Sequence, residues 1–216
     1  SGVCGTDVHI YEGETGCTDV KPPRILGHEL SGCVEKVGKN VTKVKVGDKV
    51  AVDPNDYCNN CYYCNNAKKH LCNNMTAVGV SLDGGFAEYV TVKENLVFKI
   101  ADNVSYESAA MVEPISCCLH GIDLMNIQQG DTVMVVGAGN IGLMMVQLAK
   151  ASGAGRVLLF GRRDYPLEVG KKLGADFVVN TADKNSPYYE PDVVKAVKDS
   201  FGRLAPRCIV PTSNME

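Results

Sequence analysis

The chain has 216 residues, with 22 Lys and Arg against 25 Asp and Glu and a net charge of −3 at pH 7. That length holds one large domain or two ordinary ones, and the charge shows none of the basic excess that a nucleic-acid backbone attracts. No apolar run reaches the roughly 20 residues of a membrane span, and the first residues lack the charged and apolar parts of a secretory signal, so neither nucleic acid nor membrane is an expected partner.

Along the first hundred residues short β-like runs alternate with turn signals. Strands are expected at Val34 to Val37, Lys49 to Val52, Phe86 to Val92 and Leu96 to Ile100, separated by Gly38-Lys39-Asn40, Gly47-Asp48 and Asp83-Gly84-Gly85. Short strands with glycine-rich turns suggest a small barrel-like β domain. The pattern then changes. Ser105 to Leu124 reads as helix with Ser105 as N-cap. Thereafter strands at Thr132 to Val136, Arg156 to Phe160, Phe177 to Val179 and Cys208 to Val210 alternate with helices near Ile141 to Ala151, Leu167 to Leu173 and Asp192 to Ser200. That alternation predicts a parallel sheet. The fold class is therefore α/β, with residues 1–121 mostly β and 122–216 α/β.

Ten cysteines is a high number for a chain without a secretory signal. In a reducing, cytoplasmic setting clustered cysteines read first as metal ligands. Cys58-x2-Cys61-x2-Cys64-x7-Cys72 places four thiols in one short lobe, 57–73. Four thiolates complete a tetrahedron about Zn²⁺ and leave no open position, which predicts a structural rather than a catalytic zinc. The surrounding Asn59, Asn60, Asn65 and Asn66 are turn formers that supply no core of their own, so the metal would give the lobe its fold.

Val133 to Val136 runs into Gly137-Ala138-Gly139-Asn140-Ile141-Gly142, a strand, then G-x-G-x-x-G, then a helix. This context predicts a dinucleotide site, with the pyrophosphate at the amides of the helix start. The next strand ends in Gly161-Arg162-Arg163-Asp164. A glycine followed by two guanidinium groups suits a 2′-phosphate and favours NADP over NAD; Asp164 is the alternative and would suit the ribose hydroxyl of NAD.

Cys4-Gly5-Thr6-Asp7-Val8-His9, Gly27-His28-Glu29 and Glu113-Pro114 offer a thiolate, an imidazole and a carboxylate, a plausible set for an open zinc site. At this point the chain resembles the zinc-dependent medium-chain dehydrogenase/reductase family over nearly all its length. The resemblance rests on these motifs, on Val46-Gly47-Asp48-Lys49-Val50, on the four-cysteine lobe, on Gly84-Gly85-Phe86-Ala87-Glu88-Tyr89 and on the glycine loop. It implies a GroES-like β-barrel catalytic domain followed by a Rossmann-type NAD(P)-binding domain, each partial.

The resemblance also implies a catalytic zinc on Cys4, His28 and Glu113. The acid at Glu113 looks like the sorbitol, threonine and secondary-alcohol dehydrogenase branch, in which Glu29 can also approach the metal. His28 and Glu29 would point to opposite faces of a strand, so joint ligation needs a local bend. Cys117, one helical turn after Glu113, is a rival ligand, although a small buried thiol is the expected reading for both Cys117 and Cys118.

The implied activity is hydride transfer between NAD(P) and a secondary alcohol or polyol, or the corresponding ketone. Zinc would act as a Lewis acid, Thr6 would begin a proton relay ending at His9, and Asp7 would fix the tautomer of His28. Tyr11 is a candidate to line the substrate pocket. Partners would be a small-molecule substrate and further copies of the chain, in a dimer or tetramer. Two rivals are a zinc-free quinone or enone reductase of the same superfamily and a zinc- and nucleotide-binding module or fragment without catalysis of its own. Relatives are longer, and the present residues are expected to be part of a longer chain.

Overall fold

The computed structural model of the protein describes residues 1–14 and 20–211, and Cys17 lies outside them. The chain divides into two compact units, Ser1–Pro114 and Ile115–Glu216.

The first unit opens with helix α1 (Gly5–Glu12), followed by strands β1 (Ser31–Cys33), β2 (Lys49–Val52) and β3 (Asn55–Asp56). The short helix α2 (Tyr62–Asn65), strand β4 (Thr76–Ala77), strand β5 (Val97–Lys99) and helix α3 (Tyr106–Ala110) complete it. Strands β1, β2 and β5 form an antiparallel sheet in that order, with Ser31 opposite Ala51 and Val50 opposite Lys99. Strands β3 and β4 pair separately. The unit's core is Leu30, Val52, Val78 and Leu96, with Val90 and Val92 packed against it.

Two expected strands are not formed. Residues 34–37 leave the sheet after β1: Val34 still exchanges hydrogen bonds with Asp48 and Gly47, but Glu35, Lys36 and Val37 are exposed and have nothing to bury. Residues 86–92 alternate as a strand would, and Val90 and Val92 do face the core, yet no ladder forms. Instead the amides of Gly84, Gly85 and Phe86 bond to the carbonyls of Ile25, Gly27 and Leu26. At Leu96 the chain makes a short 3₁₀ turn, Glu94–Leu96, before β5 begins.

The expected single helix from Ser105 is two, α3 and α4 (Val112–Met125), separated by Met111. Ser105 is the N-cap, its hydroxyl oxygen accepting the Ser108 amide at 3.1 Å. The division between the two units falls within α4.

The second unit continues with β6 (Thr132–Val136), α5 (Asn140–Ala151), β7 (Arg156–Gly161), α6 (Asp164–Lys172), β8 (Phe177–Asn180), α7 (Val193–Phe201) and β9 (Arg207–Ile209). All strand pairs are parallel, and the order is β8-β7-β6-β9. In chain order that is 3-2-1-4, so the strand order reverses between β6 and β9, where a doubly wound sheet places its ligand crevice at the carboxyl ends of the strands.

Strand β7 reads Val-Leu-Leu-Phe without alternation because both of its faces are covered. Leu158 and Phe160 pack with Val179, Ala196, Val197 and Phe201 on the α7 side. Leu159 points the other way, where Gly170 of α6 lies so close that a Cβ there would fall 2.2 Å from the leucine Cδ2. The edge strand β8 is covered by the following loop: the Asn180 amide donates to the Tyr188 carbonyl, and the Glu190 amide donates to the Asn180 carbonyl. Among the described residues no helix is long and apolar enough to cross a membrane.

Candidate metal centres and nucleotide-binding loop

Cys4 is the N-cap of α1, and Asp7 in the helix's first turn accepts its amide at Oδ2, at 2.8 Å. The other oxygen of Asp7 accepts the Gly27 amide at 3.2 Å and lies 3.5 Å from His28 Nδ1. Asp7 is 4% exposed and His28 7%. One buried carboxylate thus ties the helix that carries Cys4 to the segment that carries His28. The carboxylate faces the imidazole at that distance without a hydrogen bond to Nδ1.

Gly27 has φ +98°, and a Cβ there would lie 2.7 Å from the Phe86 ring. Only glycine suits that conformation and that contact. Immediately after it the chain bends at Glu29, and no strand covers residues 25–29. The opposite-face objection to Glu29 therefore falls away. One donor atom from each of Cys4, His28 and Glu29 lies within 4.8 Å of the other two. Glu113, in the first turn of α4, is outside this trio, but its charge, with that of Asp7, helps to raise the pKa of His28.

The first cause of that rise is the Cys4 thiol beside the ring, and the imidazole in turn lowers the pKa of Cys4. The Thr6 hydroxyl lies 3.7 Å from Cys4 Sγ. His9 is exposed on α1, with Nδ1 bound to the Glu14 carboxylate. Tyr11 is 88% exposed and lines a cavity of about 470 Å³ with Val3, Val8, Ile25, Leu26 and Phe86. A thiolate, an imidazole and a carboxylate converging at this distance are a donor set that fits Zn²⁺.

The four-cysteine lobe closes as its spacing predicts. Cys61 caps α2, Cys64 is buried within that helix, and a 3₁₀ turn at Lys69–Leu71 delivers Cys72. Asn59 and Ala67 take positive φ values of 55° and 57° to make the reversals. All four sulfurs lie within 4.8 Å of one another, and all four are free thiols. Cys58 Sγ is 3.4 Å from Cys72 Sγ and 3.9 Å from Cys64 Sγ. Metal–sulfur bonds of about 2.3 Å set the edge of a tetrahedron at about 3.8 Å, so the lobe fits a zinc ion.

Without a metal the thiols split their acidities. The amides of Cys64 and Asn73 pull Cys61 down to about 6, whereas burial and the neighbouring thiols push Cys64 up to about 12. Of the cysteines on α4, Cys118 is buried as expected, but Cys117 is exposed.

In the second unit Gly137 follows β6 with φ +127°, and its amide bonds to the Phe160 carbonyl at 3.0 Å. Gly139 is the N-cap of α5, and Asn140, Ile141 and Gly142 form its first turn. A Cβ at Gly142 would lie 1.7 Å from the Gly137 carbonyl oxygen. Loop and helix therefore meet backbone to backbone, which brings the first-turn amides to the end of β6. Gly161 closes β7 with a similar clearance, since a Cβ there would meet that of Ala138 at 2.9 Å. Arg162 and Arg163 are exposed.

Asp164 turns inward. Its Oδ1 accepts the Asn180 side-chain amide at 2.7 Å and the Ser186 hydroxyl at 2.6 Å. Asn180 is fully buried, and its own Oδ1 accepts the Ala182 and Asp183 amides. Sequence gives no direct sign of the role of Asn180, of the left-handed backbone at Gly27, or of the N-capping use of Cys4 and Asp7. The only signal for the last is the Cys-x-x-Asp spacing followed by Gly13, the left-handed C-cap of α1.

Both units have known counterparts. The family model for the alcohol dehydrogenase GroES-like domain matches residues 1–102, and that for the zinc-binding dehydrogenase domain matches residues 140–215. The chain belongs to the zinc-dependent medium-chain dehydrogenase/reductase family, as a GroES-like domain followed by a Rossmann-like parallel sheet. It is 38% identical over 187 residues to the sorbitol dehydrogenase of Bacillus subtilis, covering 86% of this chain and 53% of that protein.

Among solved structures it is similar to a zinc-binding dehydrogenase of Sinorhizobium meliloti bound to NADP, with a TM-score of 0.82 and 39% identity over 90% of this chain and 54% of that one. It is also similar to an alcohol dehydrogenase of E. coli CFT073 complexed with NADH, with a TM-score of 0.84 and 34% identity over 99% and 60%. The chain spans about half the length of the curated relatives that it matches.

Proposed function

We propose that this chain carries the metal site and most of the dinucleotide site of a zinc-dependent dehydrogenase. Its reaction is hydride transfer between NADP and a secondary alcohol or polyol, or the corresponding ketone. The observation that carries the reading is the convergence of Cys4, His28 and Glu29 within 4.8 Å beside a separate four-thiol lobe. Cys4, His28 and Glu29 would hold the catalytic zinc, with Glu113 as a nearby charge or fourth donor; Cys58, Cys61, Cys64 and Cys72 would hold the structural one. The bound metal supplies Lewis acidity that favours the alkoxide form of the substrate near neutral pH.

The chain's own residues do the rest. Asp7 fixes the distance between Cys4 and His28. Thr6 offers a hydroxyl beside Cys4 that can pass a proton outward, and His9, one helical turn further along the exposed face, can release it to water. The glycine loop binds the cofactor's pyrophosphate with the amides of Asn140, Ile141 and Gly142.

NADP is the favoured cofactor because Arg162 and Arg163 are exposed at the strand end and the carboxylate that would suit NAD is held by Asn180 and Ser186. The similarity to the sorbitol dehydrogenase supports a polyol as the substrate class. A homo-oligomer, dimer or tetramer, is the proposed assembly. The test is reduction of NADP and NAD by a panel of polyols and simple secondary alcohols. Turnover should depend on Cys4, with Cys4→Ser retaining nucleotide binding. Full turnover after removal of the catalytic zinc would overturn the reading.

A further inference from the structure

The Glu29 carboxylate that stands within 4.8 Å of the Cys4 and His28 donor atoms has Gly2 as a close neighbour. The Gly2 amide donates to the Glu29 carbonyl at 2.8 Å, so the two backbones lie side by side. A Cβ at position 2 would fall 2.2 Å from Glu29 Oε2, 3.3 Å from its Cβ and 3.4 Å from its Cδ. The first distance is far inside van der Waals contact, whereas the other two are tight but tolerable.

The clash is therefore with the mobile end of the side chain and not with its root. Gly2 does not have a left-handed backbone, so alanine there keeps both its conformation and the amide that bonds Glu29. A methyl group at this position would leave the backbone in place and force the carboxylate out of the position in which it reaches Cys4 and His28.

We propose that Gly2 is a positioning residue: its missing side chain is what allows the Glu29 carboxylate to stand as the third donor beside Cys4 and His28. This rests on the reading of Cys4 and His28 as metal ligands. The side-chain size at position 2 then sets whether the site offers two donors or three from this segment, independently of Glu113.

The experiment loads the full chain with Co²⁺ and with Zn²⁺, for the wild type and for Gly2→Ala, Glu29→Ala and the double variant. It reads the visible cobalt bands after subtracting those of Cys4→Ser, and zinc retention against a competing chelator. Gly2→Ala should weaken retention at the Cys4 site about tenfold, the usual scale for disturbing a ligand's support, and should give the cobalt spectrum of Glu29→Ala. In the Glu29→Ala background the added methyl should change neither readout by more than about twofold, because it then has no carboxylate to displace.

Wild-type spectrum and retention in Gly2→Ala would overturn the proposal while leaving the metal site standing. So would an undiminished effect of Gly2→Ala in the Glu29→Ala background. A wild-type chain with no cobalt bands dependent on Cys4 would overturn the metal reading itself, and this inference with it.

Discussion

Asp7 gives the sharpest perturbation of the first unit, because a single buried carboxylate holds two amides that belong to different segments. Its Oδ2 takes Cys4 N–H at 2.8 Å, and its Oδ1 takes Gly27 N–H at 3.2 Å. A hydrogen bond to a charged group contributes about 1.5–3 kcal/mol net. Replacing Asp7 with Ala removes both and leaves two orphaned amides, a cost of about 3–6 kcal/mol against a typical total stability of about 5–15 kcal/mol. Asp7→Asn is the cleaner test, since it keeps the shape and one acceptor oxygen but turns an NH₂ toward the other amide.

That variant should lose about 2–3 kcal/mol. With a urea slope of about 1–3 kcal/mol/M the midpoint of the first unit's unfolding then falls by about 1 M. The imidazole of His28, 3.5 Å away, also loses its anionic neighbour, so zinc retention at Cys4 should drop by about 10–100-fold. Circular dichroism through a urea titration reads the first quantity and chelator competition the second. An Asp7→Asn protein with wild-type midpoint and wild-type zinc retention would refute the idea that Asp7 ties the two halves of the site together.

Three further outcomes follow from the geometry. Gly142→Ala would drive a methyl to within 1.7 Å of a backbone oxygen that cannot step aside; dinucleotide affinity in a calorimetric titration should fall more than about tenfold, as the first turn of α5 is levered off the loop. Removing both Arg162 and Arg163 should weaken NADP by about 10–100-fold, the worth of one charge-assisted pair, and leave NAD nearly unchanged; Asp164→Ala should instead lower stability without improving NAD binding, because its partners are Asn180 and Ser186.

In the cysteine lobe the metal-free Cys64 thiol, pushed up to about 12, is protonated at neutral pH, whereas Cys61, pulled down to about 6, is already ionised. Zinc binding must therefore expel protons, and affinity should rise as pH increases above about 6 and collapse below it. Calorimetry in buffers of different ionisation enthalpy counts the released protons, and a count of zero would contradict the four-thiolate site.

The parts of the fold legible in sequence were those whose pattern came from burial or covalent spacing. Lys49 to Val52 and Thr132 to Val136 form strands with the expected bounds because their apolar runs meet a ladder and a core at once. The cysteine lobe was legible because its cysteine spacing alone brings the four sulfurs within 4.8 Å of one another.

Helix α1 was not, since Asp7 is the sole residue among its eight that is buried, and a helix held by one polar side chain has no apolar stripe to reveal it. Residues 86–92 show the opposite failure. The alternation was real, with Val90 and Val92 on the core, but no strand lay alongside to complete a ladder. Glu29 looked unfavourable on strand geometry alone, and the positive φ of Gly27 that permits the bend depends on the approach of Phe86, 59 residues further along the chain. Likewise Asp164 reads in sequence as an alternative ribose ligand, but Asn180 and Ser186, 16 and 22 residues away, occupy it.

The most direct test is the metal content of the purified chain, measured by plasma emission on the wild type, Cys4→Ser and Cys61→Ser. The account predicts two zinc ions per chain in the wild type and one in each variant, with the ion that remains in Cys4→Ser the harder of the two to chelate. A wild-type content of one or none, or two ions surviving in either variant, would contradict it.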